Sequence, residues 1–351
     1  MLSEEQRINY YLGELAEGRV RTCNTLPDAE DMPNFHYTTT VEDILDWEPD
    51  CVHEKFGNHA WLPGSPEGSS VKLINRYSER LKELLVYGNN LPSVYANNKI
   101  KTGRIAMLVG DGYSCNTFPV LTPYSNKTKR VDMVNGSMRK EEKSGVCLKF
   151  LYSRWWQPMY DYMLKPVIPF NEKHDRCVWR GATSGQYVQA GNRFTLLEKW
   201  YNRDDDIDIA FLTSRVRNRK EMINDIQKED IYKPVTKQEW SSNKYIISSP
   251  GNMNESGLHW KLASNSVILM AQPEACTWLM EDQLVPREHY VRVKDDWSDL
   301  KEMIDWCRSH QKECEQIAVN AREYVSQFTM MNREKRIEAE VLRRYITAVN
   351  N

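Results

Sequence analysis

From about residue 170 to 325 the chain alternates short apolar runs with helix-like stretches, and this alternation restricts it to a small group of folds. The runs are RCVWRG, IDIAFLT, KYIISSPGN, SVILMAQ and HYVRVK. Between them stand RFTLLEKWYN, ESGLHWKLASN and ACTWLMEDQL, whose apolar residues recur at helical spacing. Strands that are apolar on both faces suit a sheet covered on both sides, and strand–helix–strand order gives parallel strands joined by right-handed crossovers. A doubly wound α/β unit is therefore expected. Beyond it, DDWSDLKEMIDWCRSHQKECEQIAVNAREYVSQF and REKRIEAEVLRRYITAV predict long amphipathic C-terminal helices.

Upstream the texture differs. EEQRINYYLGEL, VEDILDW and SSVKLINRYSERLKELLVYG predict helices, with LPGSPEGSS as a surface loop. RIAMLVGDGYS and FPVLTPYS then read as strand, turn and strand. A chain of 351 residues has room for two domains. Its 47 basic and 49 acidic residues nearly cancel, which argues against a generic nucleic-acid or anionic-membrane binder. No run approaches the roughly 20 apolar residues of a bilayer span, and the start MLSEEQRINYYLGEL lacks an apolar signal core, so a cytoplasmic protein with no membrane span is expected. The eight scattered cysteines form no CxxC pair and read as reduced structural thiols.

Three strand ends carry candidate chemistry. In SSPGNMNESGLHWKLASN, Ser249 and Asn252 lie in a loop and a helix opens near Ser256 and Gly257. Free N–H groups there suit a phosphate, and His259 and Lys261 stand within reach to add charge; a routine capped helix with a solvated lysine is the plain alternative. In RCVWRGATSGQYVQAGNR, Arg180 and Gly181 end a strand and Thr183 and Ser184 follow in the turn. Arg180 or Arg193 offers a forked cation to phosphate, and Arg180 equally fits a structural ion pair. In LVGDGYS, Asp111 sits between glycines and is placed to take a proton as a base, unless it is only a turn residue. A GxGxxG dinucleotide fingerprint fails there, because Cys115 stands where glycine is required. Glu281 is positioned for sugar or ribose hydroxyls or is an exposed helix acid. The acids of DDDID and KDDWSD read as a solvated turn and a helix cap rather than a metal site, so no metal is expected.

CVWRGATSG, GLHWKLASNSVILM and TWLMEDQLVPREHYVRVKDDWSDL together resemble glycosyltransferase family 90, which includes Rumi-type protein O-glucosyltransferases, fungal capsule xylosyltransferases and bacterial lipopolysaccharide-modifying relatives. The likeness covers roughly residues 100 to 325 and is nearest to bacterial-type members. It implies a GT-B architecture of two Rossmann-like lobes with a cleft between them: residues 1–168 as the acceptor-side lobe carrying the base, 169–325 as the nucleotide-sugar lobe, and 326–351 as a helix packing back on the first lobe. It further implies a UDP-sugar donor held around Arg180, Gly181, Thr183, Ser184 and Ser256 to Lys261, with Asp111 at the position of the catalytic aspartate. Rumi-type enzymes place an arginine at the donor helix start, where this chain has Gly257 or Leu258; His259, Lys261 and Arg193 are the cations at hand to replace it.

The expected function is inverting, metal-independent transfer of a sugar, xylose or glucose favoured, from a UDP-sugar to a glycan hydroxyl. A catalytically inactive carbohydrate- or nucleotide-binding protein of the same fold is the alternative. A nucleotide-sugar epimerase or dehydrogenase would need NAD and the missing glycine fingerprint.

Overall fold

The computed structural model describes residues 2–17, 36–47, 69–91, 99–108, 119–124, 129–134, 137–142, 145–150, 152–185, 189–212 and 235–350. Among them, two main sheets and a hairpin are flanked by helices, an α/β arrangement.

The five-stranded sheet contains β7 (His174–Gly181), β8 (Ile207–Phe211), β9 (Asn243–Ile247), β10 (Val267–Met270) and β11 (Val291–Arg292). All its pairs are parallel, and the spatial order is β11-β10-β9-β7-β8. The apolar runs form these strands because both of their faces are covered. Cys177, Trp179, Tyr245, Ile247, Val267 and Leu269 enter one core, whereas Val178, Ile246, Ile268 and Met270 enter the other. Period-two alternation thus sends neighbouring apolar residues to opposite sides, as a doubly wound sheet requires.

The other sheet has the order β1-β2-β3-β6, from β1 (His36–Thr40), β2 (Arg104–Leu108), β3 (Val120–Thr122) and β6 (Gly145–Cys147). The edge strand β1 runs antiparallel to β2, and β2, β3 and β6 are mutually parallel. The hairpin β4 (Lys129–Val134) and β5 (Ser137–Glu142) stands apart from both sheets.

Helix α1 (Glu4–Leu12) opens on a Ser3 capping box, and α2 (Val41–Leu45) and α3 (Ser69–Asn89) follow where the periodicity placed them. The C-terminal stretch forms three helices, α8 (Leu300–Ser309), α9 (Gln311–Ser326) and α10 (Met331–Asn350), after α4 (Tyr152–Met163), α5 (Arg193–Trp200), α6 (Lys237–Ser241) and α7 (Leu258–Leu262). Helix α10 packs against α3, α1 and β2, so the end of the chain rests on elements from its beginning.

One expected helix is absent. ACTWLMEDQL forms an isolated bridge at Thr277 to Tyr124 and a short 3-10 turn, Glu281–Gln283, with Met280 in the left-handed region at φ 58°. Distant hydroxyls hold its backbone: Tyr11 donates to the Trp278 carbonyl, and Tyr324 donates to those of Leu279 and Met280. Tertiary partners thus take carbonyls that a helical ladder would have used. In the second acidic stretch, Asp295 and Asp296 precede the helix and Asp299 is the residue at the N-cap position of α8. Asp296 pairs with Lys199 at 2.6 Å, Asp204 with Lys301 at 3.0 Å and Asp206 with Arg308 at 2.9 Å.

Candidate functional site

The strand order creates the site. From the central pair β7 and β9 the chain proceeds outward to β8 on one side and to β10 on the other, so the loops leaving the two central strands diverge. In such sheets ligands occupy the crevice at this switch point, beyond the carboxyl ends of the strands. The two loops here meet closely. Gly185, at φ +106°, lies so near the other loop that an added Cβ would stand 2.9 Å from the Gly251 carbonyl oxygen, and its N–H donates to the Asn252 side chain at 3.0 Å.

Arg193, the first residue of α5, ties the loops together. Its Nη1 donates to the Ala182 carbonyl at 2.9 Å and to Ser184 Oγ at 2.6 Å, and its Nη2 donates to the Ser249 carbonyl at 3.3 Å. Asn192 caps α5 by accepting from the Thr195 N–H, which fixes where the arginine leaves the backbone. The guanidinium also lies over Trp179, 5.7 Å from the ring centroid.

A cleft with a volume of about 50 Å³ opens beside this junction, lined by the loops after β7, β9 and β10 and by the Leu258 end of α7. Glu255 stands on its wall. One carboxylate oxygen lies 3.7 Å from Arg193 Nη2 and 3.6 Å from Lys261 Nζ, and the other accepts the Gly257 N–H at 3.1 Å. Lys261 is buried and donates to the Ile247 carbonyl at 3.0 Å. Burial lowers its pKa, partly opposed by Glu255. The arrangement is an anion position flanked by two cations at the carboxyl edge of a parallel sheet, filled by the chain's own carboxylate.

Glu281 reaches the cleft from the turn that replaced the expected helix. It is buried, and it accepts from the Thr277 N–H at 2.6 Å and the Thr277 hydroxyl at 2.9 Å. Burial pushes its carboxyl up to about 7, against the pull of Thr277, so at neutral pH it both donates and accepts. His259 is buried as well, and burial together with Lys237 and Lys261 drives its imidazole down to about 3. It is therefore neutral and adds no charge toward a phosphate.

The residues singled out in the sequence fall into separate places. Arg180 is committed to the sheet: it donates to the Trp179 and Asp208 carbonyls at 2.8 and 2.7 Å and pairs with the Asp208 carboxylate at 2.5 Å, the ion-pair alternative. At Gly181 an added Cβ would strike the Trp179 ring. Thr183 and Ser249 are buried, with Ser249 donating to the Gly191 carbonyl, and Ser184 accepts from Arg193. Asn252 and Ser256 are exposed on the second loop, and Gly257 precedes α7. Asp111 lies outside the described residues. Glu255 and the β10 loop residues Gln272 and Glu274 were missed. The strand-edge rule applied to SVILMAQPEA would have found the latter two, since polar residues follow Met270 directly.

Comparison with known proteins agrees with this geometry. Residues 153–349, more than half of the chain and including the whole five-stranded sheet, match the sequence pattern of glycosyl transferase family 90. The chain is 28% identical over 187 residues to the O-glucosyltransferase LpsA of Dichelobacter nodosus, covering 53% of this chain and 54% of LpsA. It is 27% identical over 192 residues to the uncharacterized protein 179R of Invertebrate iridescent virus 6 and 29% identical over 174 residues to protein 035R of Invertebrate iridescent virus 3, covering 47% of this chain and 16% of the viral protein in each case. The chain thus spans about half the length of its bacterial relative and a small part of the viral ones. With the switch-point cleft inside the matched stretch, the chain belongs to glycosyl transferase family 90.

Proposed function

We propose that the protein transfers a sugar, glucose or xylose, from a UDP-sugar to a hydroxyl of a glycan acceptor, with inversion and without a metal ion. The observation that carries the reading is the cation pair Arg193 and Lys261 converging on one anion position at the switch-point cleft. A diphosphate that displaces the Glu255 carboxylate there meets two positive charges and the Gly257 N–H, groups the fold already brings together, and these stabilise the leaving-group charge. That cradle supplies what a metal would otherwise supply. O-glucosyl transfer, the activity in the name of the bacterial relative, favours glucose as the first donor to try.

In this mechanism Asp111 removes the proton of the acceptor hydroxyl as that oxygen attacks the anomeric carbon from the face opposite UDP. The carbon–oxygen bond to the diphosphate breaks in the same step and its electrons remain on UDP. A carboxylate with a reference pKa of about 3.9 begins ionised at neutral pH, as a base must. In this reading residues 1–168 form the lobe that carries the base, residues 169–325 the donor lobe and residues 326–351 a return to the first, so that base and donor approach from opposite walls of a cleft.

The test is a panel of UDP-glucose and UDP-xylose with UDP release as readout, run on wild type and Asp111→Asn. Donor-dependent UDP release that Asp111→Asn abolishes, with UDP affinity by calorimetry unchanged, is the expected result. Full turnover in the variant removes Asp111 from the mechanism, and no binding of UDP by wild type removes the donor class.

A further inference from the structure

A second, smaller space shares part of its wall with the main cleft. This pit has a volume of about 10 Å³, room for about one oxygen atom, and shares Asn254, Glu255 and Glu281 with the cleft; His259, Thr277 and Trp278 are among its other lining residues. Its volume of about 10 Å³ against about 50 Å³ for the main cleft suits a single hydroxyl of a ligand and not a ring system.

Its chemistry is that of a hydroxyl receptor. His259 is 5% exposed, and its Nε2 is buried with no hydrogen-bond partner. A buried polar atom left without a partner is costly, and native proteins rarely keep one unless a ligand or water completes it. The ring is held in place, because α7 carries it on a buried face and the Trp278 ring packs 6.2 Å away. On the same lining, Glu281 keeps lone pairs beyond the two that Thr277 occupies. Indole, imidazole and carboxyl around one small space form the wall of a site for an uncharged, hydroxylated ring substituent.

We propose that the pit is a hydroxyl-reading subsite, in which a hydroxyl-bearing arm of the ligand in the main cleft is hydrogen-bonded by His259 Nε2 and Glu281. The inference rests on reading the main cleft as the donor site. His259 is then a specificity residue and not part of the diphosphate cradle. Two parts of a UDP-sugar carry such hydroxyls, the ribose and the transferred sugar, and the experiment separates them.

The experiment is calorimetric titration of wild type, His259→Leu and His259→Gln with UDP, UDP-glucose and UDP-xylose, alongside thermal unfolding of each protein. Leucine removes the hydrogen bond and leaves the ligand hydroxyl unpaired in the pit, which weakens binding by roughly tenfold or more, whereas glutamine keeps a donor and an acceptor and recovers most of the affinity. A loss already present with UDP assigns the pit to the ribose, and a loss confined to the UDP-sugars assigns it to the transferred sugar; both support the subsite. Wild type that binds UDP, with both variants binding every probe as tightly, overturns the pit and leaves the donor site standing. Equal losses in leucine and glutamine variants, matched by equal falls in unfolding temperature, reduce His259 to packing and also overturn it. Wild type that binds none of the three probes overturns both readings.

Discussion

The Glu255 carboxylate lies 3.6 Å from the Lys261 ammonium, and the same oxygen faces Arg193 at 3.7 Å, so a single negative charge balances two cations at the carboxyl edge of the sheet. The Glu255 side chain is 14% exposed and those of Lys261 and Arg193 are 1% and 9% exposed. Charges so placed interact at an effective dielectric well below that of water, and removing Glu255 takes from Lys261 the carboxylate it pairs with among the described residues.

Glu255→Gln accordingly has two opposite effects. Stability falls by about 3 kcal/mol, because Lys261 loses its only carboxylate within ion-pair distance among the described residues. Affinity for UDP rises by about tenfold or more, because the diphosphate no longer competes with a resident anion for the same cations. Thermal unfolding with and without UDP reads both: the variant melts lower alone and gains more from UDP than wild type does. Unchanged UDP affinity would show that the phosphate binds elsewhere.

What the sequence made legible was whatever is local or periodic. CVW, YII and VILM announced buried parallel strands because both of their faces are apolar, and they became β7, β9 and β10. Their spatial order is a property of crossovers and is written in no single run, yet it is the order that puts Gly185 beside Gly251. Arg180 was ambiguous because its partner, Asp208, comes from the neighbouring strand 28 positions away. The stretch around Trp278 had helical spacing but not helical backbone partners, since its carbonyls belong to Tyr11 and Tyr324. Glu255 passed unnoticed because an acid two residues before Gly257 looks like an ordinary capping residue; only the fold brings Arg193 to it.

Glu281 makes stability depend on pH near neutrality. Burial holds its carboxyl at about 7 in the folded chain against an ordinary value of 4.5, so between those values the folded protein binds a proton that the unfolded chain has released. Stability then falls as pH rises through this window and levels off above it, by about 3 kcal/mol in all. Glu281→Gln has no carboxyl to ionise. The unfolding temperature of the variant relative to wild type is expected to climb between pH 5 and pH 8, measured by calorimetry across that range. A constant offset between the two proteins would mean that Glu281 is already ionised at pH 5.

Glu334 joins the beginning of the chain to its end. On α10, it accepts from Arg7 of α1 at 2.5 and 2.7 Å and pairs with Lys149, just past β6, at 2.8 Å, and all three side chains are at most 1% exposed. One turn further along, Glu338 accepts the Lys149 N–H at 2.6 Å and pairs with Arg80 of α3, which also bonds Glu83. Three buried cations and the acids that face them thus fasten α1, α3, α10 and the first sheet. Desolvation alone would raise the Glu334 carboxyl, but Lys149 and Arg7 outweigh it and hold the pKa below its ordinary value of 4.5. A lowered pKa contributes stability that is present above 4.5 and is lost as pH falls through the folded value. Glu334→Gln leaves Arg7 and Lys149 buried without their shared anion and is expected to cost about 3–5 kcal/mol at pH 7 by urea unfolding. The deficit narrows below pH 4.5, where wild type loses the same charge. A variant as stable as wild type at pH 7 would mean that the interior of this junction tolerates the cations without Glu334, with the Arg7 guanidinium held instead by its cation–π contacts to the Tyr11 and Phe328 rings.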